Sequence, residues 1–326
     1  MAELVFGAGT SHSPHLGAPP ELWYQRAEQD KTYPALYATD GQVKSYDQLV
    51  AEAAGRYDAQ ANLAQWQQDW QRSQAALDRL RDDFARVAPD VVVVVGDDQR
   101  EIFTEANTPS IAIAGVPEMI TATYDDTDIL QSEFFKAAGV TFMMDDNYKF
   151  AGQADLAMDL ATHLNANGFD FSWMAGAEGY GHAIGFPIYR LLKPKSVPVV
   201  PVLVNTFFPP NQPTPQHCFE FGQQLRQAIE ASPVDARVAI IASGGLSHFV
   251  VDEQLDRQVI TALVDKDDAT LRSLPVKLLN SGNSEIRNWI IVAGAMQGHD
   301  IDWWEYVAAV RSPAGTGCGL AFAAWN

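Results

Sequence analysis

Five consecutive valines, Val91 to Val95, constrain this chain more than any other stretch. A strand that is apolar and branched at every position has no face to offer to water, so it belongs at the centre of a sheet covered on both sides. Helices must supply those covers, and the expected class is therefore α/β. The run follows Pro89-Asp90 and ends abruptly in Gly96-Asp97-Asp98-Gln99-Arg100-Glu101, which delivers polar groups at a strand end. In open α/β sheets that is where ligands bind.

Other segments repeat this arrangement. Residues 3–8 read as a first strand, followed by Gly9-Thr10-Ser11-His12-Ser13-Pro14-His15, where Pro14 bars regular helix or central strand. FSWMAGAEGYGHAIGFPIYRLL holds His182 in a glycine-rich loop before Pro187, and VPVVPVLVN leads into the proline-rich loop Phe207 to Pro215. Val238 to Ala242 reads as a buried strand that breaks into Ser243-Gly244-Gly245. His248 follows in the exit loop, and Glu253 falls where the pattern Leu255, Val259, Leu263 turns helical. The tail from Arg311 to Asn326 reads as a loop and a closing apolar strand.

One stretch breaks the alternation. Pro19 to Ser45 is rich in Trp, Tyr and Pro, and Asp47 to Arg86 reads as mostly helical, with Leu63, Trp66, Trp70, Ala76, Leu77, Leu80 and Phe84 forming an apolar stripe. Such a stripe is far more often core than cofactor contact. With no repeat and no linker, the expectation is a single α/β domain over residues 1–326. It has a central mixed or mostly parallel sheet flanked by helices, an aromatic-rich helical insertion at about 19–88, and its active site at strand carboxyl ends.

Charge narrows the partners. A formal net charge of -19 leaves no basic stripe for phosphates, which argues against nucleic acid and against an anionic membrane surface. A small anionic substrate stays compatible, because a pocket's local field need not follow the net charge. Cys218 and Cys318 are the only cysteines, which implies no disulfide framework and fits a reducing cytoplasm. The start MAELVFGAGTSHSP lacks a basic region and a long apolar run, so a soluble cytoplasmic protein is expected. A homodimer is the default assembly for a soluble enzyme of this size.

Four strand ends thus offer His12 with His15, Asp98 with Gln99, His182, and His248 with Glu253. The bland reading of the last pair is a capped helix start beside a hydrogen-bonded histidine, and it weighs about as much as the functional one. His163, His217 and His299 read as surface residues. No HExxH, P-loop, GxSxG or GxGxxG is present. Imidazoles and carboxylates arriving from separate loops suit a divalent first-row metal, and two His with one carboxylate is the arrangement of non-haem Fe(II) oxygenases.

At these residues the sequence resembles the class III extradiol ring-cleavage dioxygenases, of the type of the protocatechuate 4,5-dioxygenase catalytic subunit. SHSPHL, GHxxxxP around His182 and especially GGLSHFVVDEQLDR carry the likeness, and NSGNSEIRNW and SPAGTGCG also look familial. The resemblance implies Fe(II), held by His12 and Glu253, with His182 as acid/base and His248 contacting substrate. The family's second iron histidine normally closes an Asn-Asp-His segment, which here reads Asp97-Asp98-Gln99. Three alternatives follow: Gln99 coordinates through its amide oxygen, His15 or Asp98 replaces it, or metal binding has been lost. The aromatic insertion and GDDQ are similar to a subgroup that includes 3-O-methylgallate 3,4-dioxygenase, which would imply a methoxylated aromatic acid as substrate.

The implied reaction opens a catechol- or gallate-type ring with O2 beside its vicinal hydroxyls. Arg100 and Arg287 are candidates for a substrate carboxylate, against a commoner reading as salt-bridging arginines. A metal-dependent hydrolase or lyase on the same scaffold, and a non-catalytic relative without metal, are the rival functions.

Overall fold

A computed structural model describes residues 1–124, 132–193 and 195–326. The chain opens on β1 (Glu3–Thr10), and the short helix α1 (Pro14–Gly17) leads to α2 (Trp23–Asp30). A two-strand ribbon, β2 (Leu36–Tyr37) with β3 (Val43–Lys44), precedes α3 (Tyr46–Ala53) and the long α4 (Leu63–Val87). The valine run is β4 (Val91–Asp97), followed by β5 (Ile111–Ala114) and β6 (Glu118–Thr121). Next come α5 (Glu133–Phe142), β7 (Lys149–Ala151), α6 (Ala154–Ala166), β8 (Ser172–Met174), β9 (Glu178–Tyr180) and α7 (His182–Pro187). β10 (Val199–Val204), α8 (Pro215–Ala231), β11 (Arg237–Ser243), β12 (His248–Val250), α9 (Glu253–Val264) and α10 (Asp268–Arg272) follow. The chain closes with α11 (Ile286–Ala295), β13 (Ile301–Val310) and β14 (Thr316–Trp325).

Nine strands form the main sheet in the order β12-β14-β1-β11-β4-β10-β5-β8, with β13 paired to β14. Its centre is parallel: β1 pairs β11, β11 pairs β4 and β4 pairs β10, whereas β14 joins β1 antiparallel. The valines behave as their pattern requires. Every residue of β4 is buried; Val91, Val93 and Val95 pack into one core cluster, Val92 and Val94 into the other. The first cluster is roofed by α6, α8, α9 and α11, the second by α4, α5 and α7. Helices therefore cover both faces, as the sequence led us to expect.

The stretch expected to be mostly helical from Asp47 to Arg86 is divided. Ala54 and Gly55 take left-handed backbone (φ 49° and 83°), which ends α3. Asn62 then restarts the helix by accepting the Gln65 N–H. Along α4 the stripe runs from Trp66 through Ala76, Leu77, Leu80 and Phe84, all buried, while Leu63 is exposed and Trp70 lies between. Trp66 donates its indole N–H to the Val310 carbonyl, fastening the insertion to the last hairpin.

Candidate active site

Three neighbouring strands end together. In register, Thr10 of β1 sits beside Ser243 of β11, and Ala242 beside Val95 of β4. Each strand releases a polar group there: His12 after β1, Asp97 at the end of β4, and the Gly244-Gly245 turn after β11. His12 Nδ1 lies 3.0 Å from the Ser243 hydroxyl, which directs Nε2 into the gap between the strands.

Around that nitrogen stand a carboxylate from each of two elements. Glu285 Oε2 is 3.2 Å from His12 Nε2 and Asp97 Oδ1 is 3.8 Å from it. His182 Nε2 lies 4.0 Å from Asp97 Oδ2, and the His12 and His182 rings meet at 4.6 Å. Ligand atoms of His12, Asp97 and His182 lie within 4.8 Å of one another, a spacing that fits one metal ion. His12 Nε2 and Asp97 Oδ1 are buried without a hydrogen-bond partner. A buried polar atom without a hydrogen bond costs about 1–3 kcal/mol, and a cation between His12 and the two carboxylates would satisfy both atoms.

The remaining groups are well fixed. Glu285 accepts the Gly245 N–H at 2.6 Å and reaches His248 Nε2 at 3.1 Å. His248 is held further by the Leu246 carbonyl on Nδ1 and by Asn283, which accepts its backbone N–H. Gly282 packs so closely on the His248 ring that a Cβ there would collide with it. Glu101 holds His182 at Nδ1, 2.5 Å away, and Gly181 leaves room for that carboxylate.

Electrostatically the site is a mixed cluster short of solvent. Burial opposes charge on Glu285, yet the His248 and His12 imidazoles outweigh it and draw its pKa well below the ordinary range. Asp97 moves the other way, raised by burial and by the neighbouring Glu285 charge. Burial also opposes the His182 imidazolium, but Glu101 and then Asp97 overcome it and raise His182 to about 9. His248 is raised by Glu285 against the same burial. A divalent ion held by these groups would compete with protons for them.

His12, Glu101, His182, His248 and Glu285 line a cavity of about 1140 Å³, with Phe142, Tyr124, Phe249 and Arg26 also in its wall. The structure brings His12, His182, His248, Gln99 and His15 to this cavity. Gln99 uses its amide nitrogen to donate to Asp97 Oδ2 at 2.8 Å. His15 is turned aside, with Nδ1 on the Ser13 hydroxyl and its ring edge-on to Trp23. Asp98 is occupied by the backbone N–H groups of Arg100, Ile102 and Phe103, and braces the loop instead of facing the cluster.

Glu253 is not brought there. It sits in the first turn of α9, partly exposed, against Arg257 at 3.4 Å, and the carboxylate that meets His12 is Glu285. The bland reading of a capped helix start is what this position does, with Asp252 as the cap. Arg287 is also elsewhere: its buried guanidinium donates to the carbonyls of Pro213, Thr206, Leu279 and Ser284. Arg100 lines the cavity, but donates to Thr108 and stacks 3.7 Å from the Phe208 ring centre. Glu285 and Glu101 were not singled out from sequence. The available signal for Glu285 was a lone acid at the mouth of IRNWIIVAGA, a helix buried at every residue.

Among the described residues no helix is long and apolar enough to cross a membrane. Residues 59–320 match the family described as the catalytic LigB subunit of aromatic ring-opening dioxygenase. A curated relative, gallate dioxygenase of Pseudomonas putida, is 30% identical over 161 residues, 45% of this chain and 47% of that protein. The match thus spans about half the length of that relative. The family match covers most of the chain and includes Asp97, His182, His248 and Glu285 of the cluster, so the chain belongs to the family of catalytic LigB subunits of aromatic ring-opening dioxygenases, the class III extradiol enzymes.

Proposed function

We propose that this protein cleaves a catechol- or gallate-type aromatic acid extradiol, with O2 and a non-haem Fe(II), and that methoxylated acids such as 3-O-methylgallate are among its substrates. The observation that carries this reading is the convergence of His12 Nε2 and Asp97 Oδ1, both buried and without a hydrogen bond, with Glu285 Oε2 3.2 Å from His12, behind an aromatic-walled cavity that His12, His182 and Glu285 line. Oxygen and imidazole donors of this kind suit a first-row divalent ion. In the proposal His12, Asp97 and Glu285 hold the metal, and Gln99 steadies Asp97 through its amide.

A bound ion of this type supplies Lewis acidity toward a phenol oxygen and a site for O2. His182, oriented by Glu101, exchanges a proton with the substrate hydroxyl at Nε2. His248, fixed on Leu246 and Glu285, hydrogen-bonds a second substrate oxygen. Phe142, Tyr124 and Phe249 exclude water from the ring.

Anaerobic reconstitution with Fe(II), followed by O2 and a panel of catechol, gallate and 3-O-methylgallate, should give oxygen uptake and a yellow ring-opened product. His182→Gln should keep the metal and lose about 10²–10⁴ in kcat. Turnover under argon would instead indicate a hydrolase or lyase, and a protein that retains no metal and shows no turnover would indicate a binding role.

A further inference from the structure

One part of the cavity wall carries an excess of buried positive charge. Asp30 is fully buried and receives Arg311 twice, through Nε at 2.6 Å and Nη2 at 3.0 Å, with the Thr316 hydroxyl as a third donor. A second guanidinium, Arg26, stands 3.7 Å from the same carboxylate with its side chain only 11% exposed. One carboxylate already saturated by Arg311 and Thr316 thus faces two guanidiniums. Buried charges are normally paired, and here one is left over.

Arg26 has few partners of its own. It donates to Gln29 at 3.3 Å and its guanidinium carbon lies 5.3 Å from the ring centres of both Tyr33 and Phe249. Arg26, Arg311, Tyr33 and Phe249 all line the cavity. So does His15, whose Nε2 is buried without a partner. The Ser13 hydroxyl accepts the His15 backbone N–H at 3.4 Å and sits 2.9 Å from Nδ1. Its proton is therefore free to serve Nδ1, which leaves Nε2–H as an unmatched donor. Burial and the two arginines keep this imidazole neutral by drawing its pKa well down.

We infer that Arg26, with His15 beside it and Arg311 behind it, binds the carboxylate of the aromatic acid. The inference rests on the ring-cleavage reading and names the substrate class within it. From Arg26 the path runs over Phe249, whose ring centre is 5.6 Å from that of His248, and His248 touches Glu285 beside His12. A benzoic acid anchored on Arg26 lays its ring along Phe249 and presents its far hydroxyls to His248 and the metal floor. Arg26 lies on α2, so the inference assigns substrate selection to the segment that follows the SHSPHL loop.

The test compares gallate with pyrogallol, the same ring without its carboxylate. Binding to metal-free protein is measured by calorimetry, and kcat/KM is measured on the Fe(II) enzyme. Arg26→Gln should weaken gallate binding about 10–100-fold while changing pyrogallol less than about threefold, since a charge-assisted hydrogen bond is lost for one ligand only. Arg26→Lys should recover part of the loss. Asp30 keeps Arg311 and Thr316 in both variants, so the fold is retained, which circular dichroism checks. Equal loss for both ligands, no loss for either, or a gallate preference that follows Arg100→Gln would overturn the assignment. If the wild-type protein cleaves neither ring yet binds gallate through Arg26, the cleavage reading fails and the carboxylate site stands.

Discussion

At Arg287 four backbone carbonyls converge on one guanidinium that is almost wholly buried. Those carbonyls belong to two separate connections, β10 to α8 and α10 to α11, so the side chain acts as a clamp, and burial lowers its pKa. Arg287→Met should therefore cost about 3 kcal/mol of stability, read as a lower urea midpoint, with KM for gallate and for pyrogallol changed alike. A selective rise in KM for the acid at unchanged stability would return Arg287 to the substrate. Single residues were where sequence reasoning was weakest. His12, His182 and His248 could be read because an imidazole in a glycine- or proline-bounded loop stands out. Glu253 and Glu285 could not be told apart: one opens a helix and the other immediately precedes one, where the dipole favours an acid anyway. Only packing separates them, since α9 shows Glu253 to solvent and Arg257 while α11 is buried on every side.

At the scale of elements, the exit from β11 is braced from behind. Asp256 on α9 accepts the Ser247 N–H and hydroxyl at 2.8 and 2.7 Å, and the Tyr306 hydroxyl of β13 at 2.7 Å, just beside His248. Burial raises its pKa from 3.8 to about 7 despite those donors. The folded chain then binds more protons than the unfolded chain between these values. The stability this gives is complete below the unfolded value and disappears as pH rises through the folded one. Wild type should lose up to about 1.4 kcal/mol per pH unit across that window relative to Asp256→Asn, followed by urea unfolding from about pH 5 to about pH 8. Parallel curves for the two proteins would show that Asp256 stays ionised throughout. Elements were the most legible level. The valine run fixed its own environment, and the α4 stripe was correct from Trp66 onward. The break at Ala54-Gly55 was missed although Gly55 is a helix-stop signal, because the apolar pattern resumes beyond it and a lone glycine is tolerated within helices.

For the whole molecule, the parallel centre of the sheet makes the site. Strand order β1-β11-β4 brings residues 12, 97 and 243 together, and α11 adds residue 285 over the same edge. That convergence was foreseeable in kind, since strand ends in an open sheet collect ligands. Which carboxylate arrives could not be read, because it depends on how the segment after α10 folds back across β12. In the proposed site a metal held by His12, Asp97 and Glu285 would tie three distant parts of the chain and stabilise the native state through mass action. At about a hundredfold excess over Kd the gain is about 2.7 kcal/mol. For a domain of this size that corresponds to a shift on the order of 5 °C.

Thermal unfolding under argon, with and without Fe(II), of wild type, Glu285→Ala and Glu253→Ala is the most direct measurement. The proposed centre predicts that Fe(II) raises Tm of wild type and Glu253→Ala by a few degrees and leaves Glu285→Ala unmoved. A shift that survives in Glu285→Ala but vanishes in Glu253→Ala would contradict this placement of the metal centre.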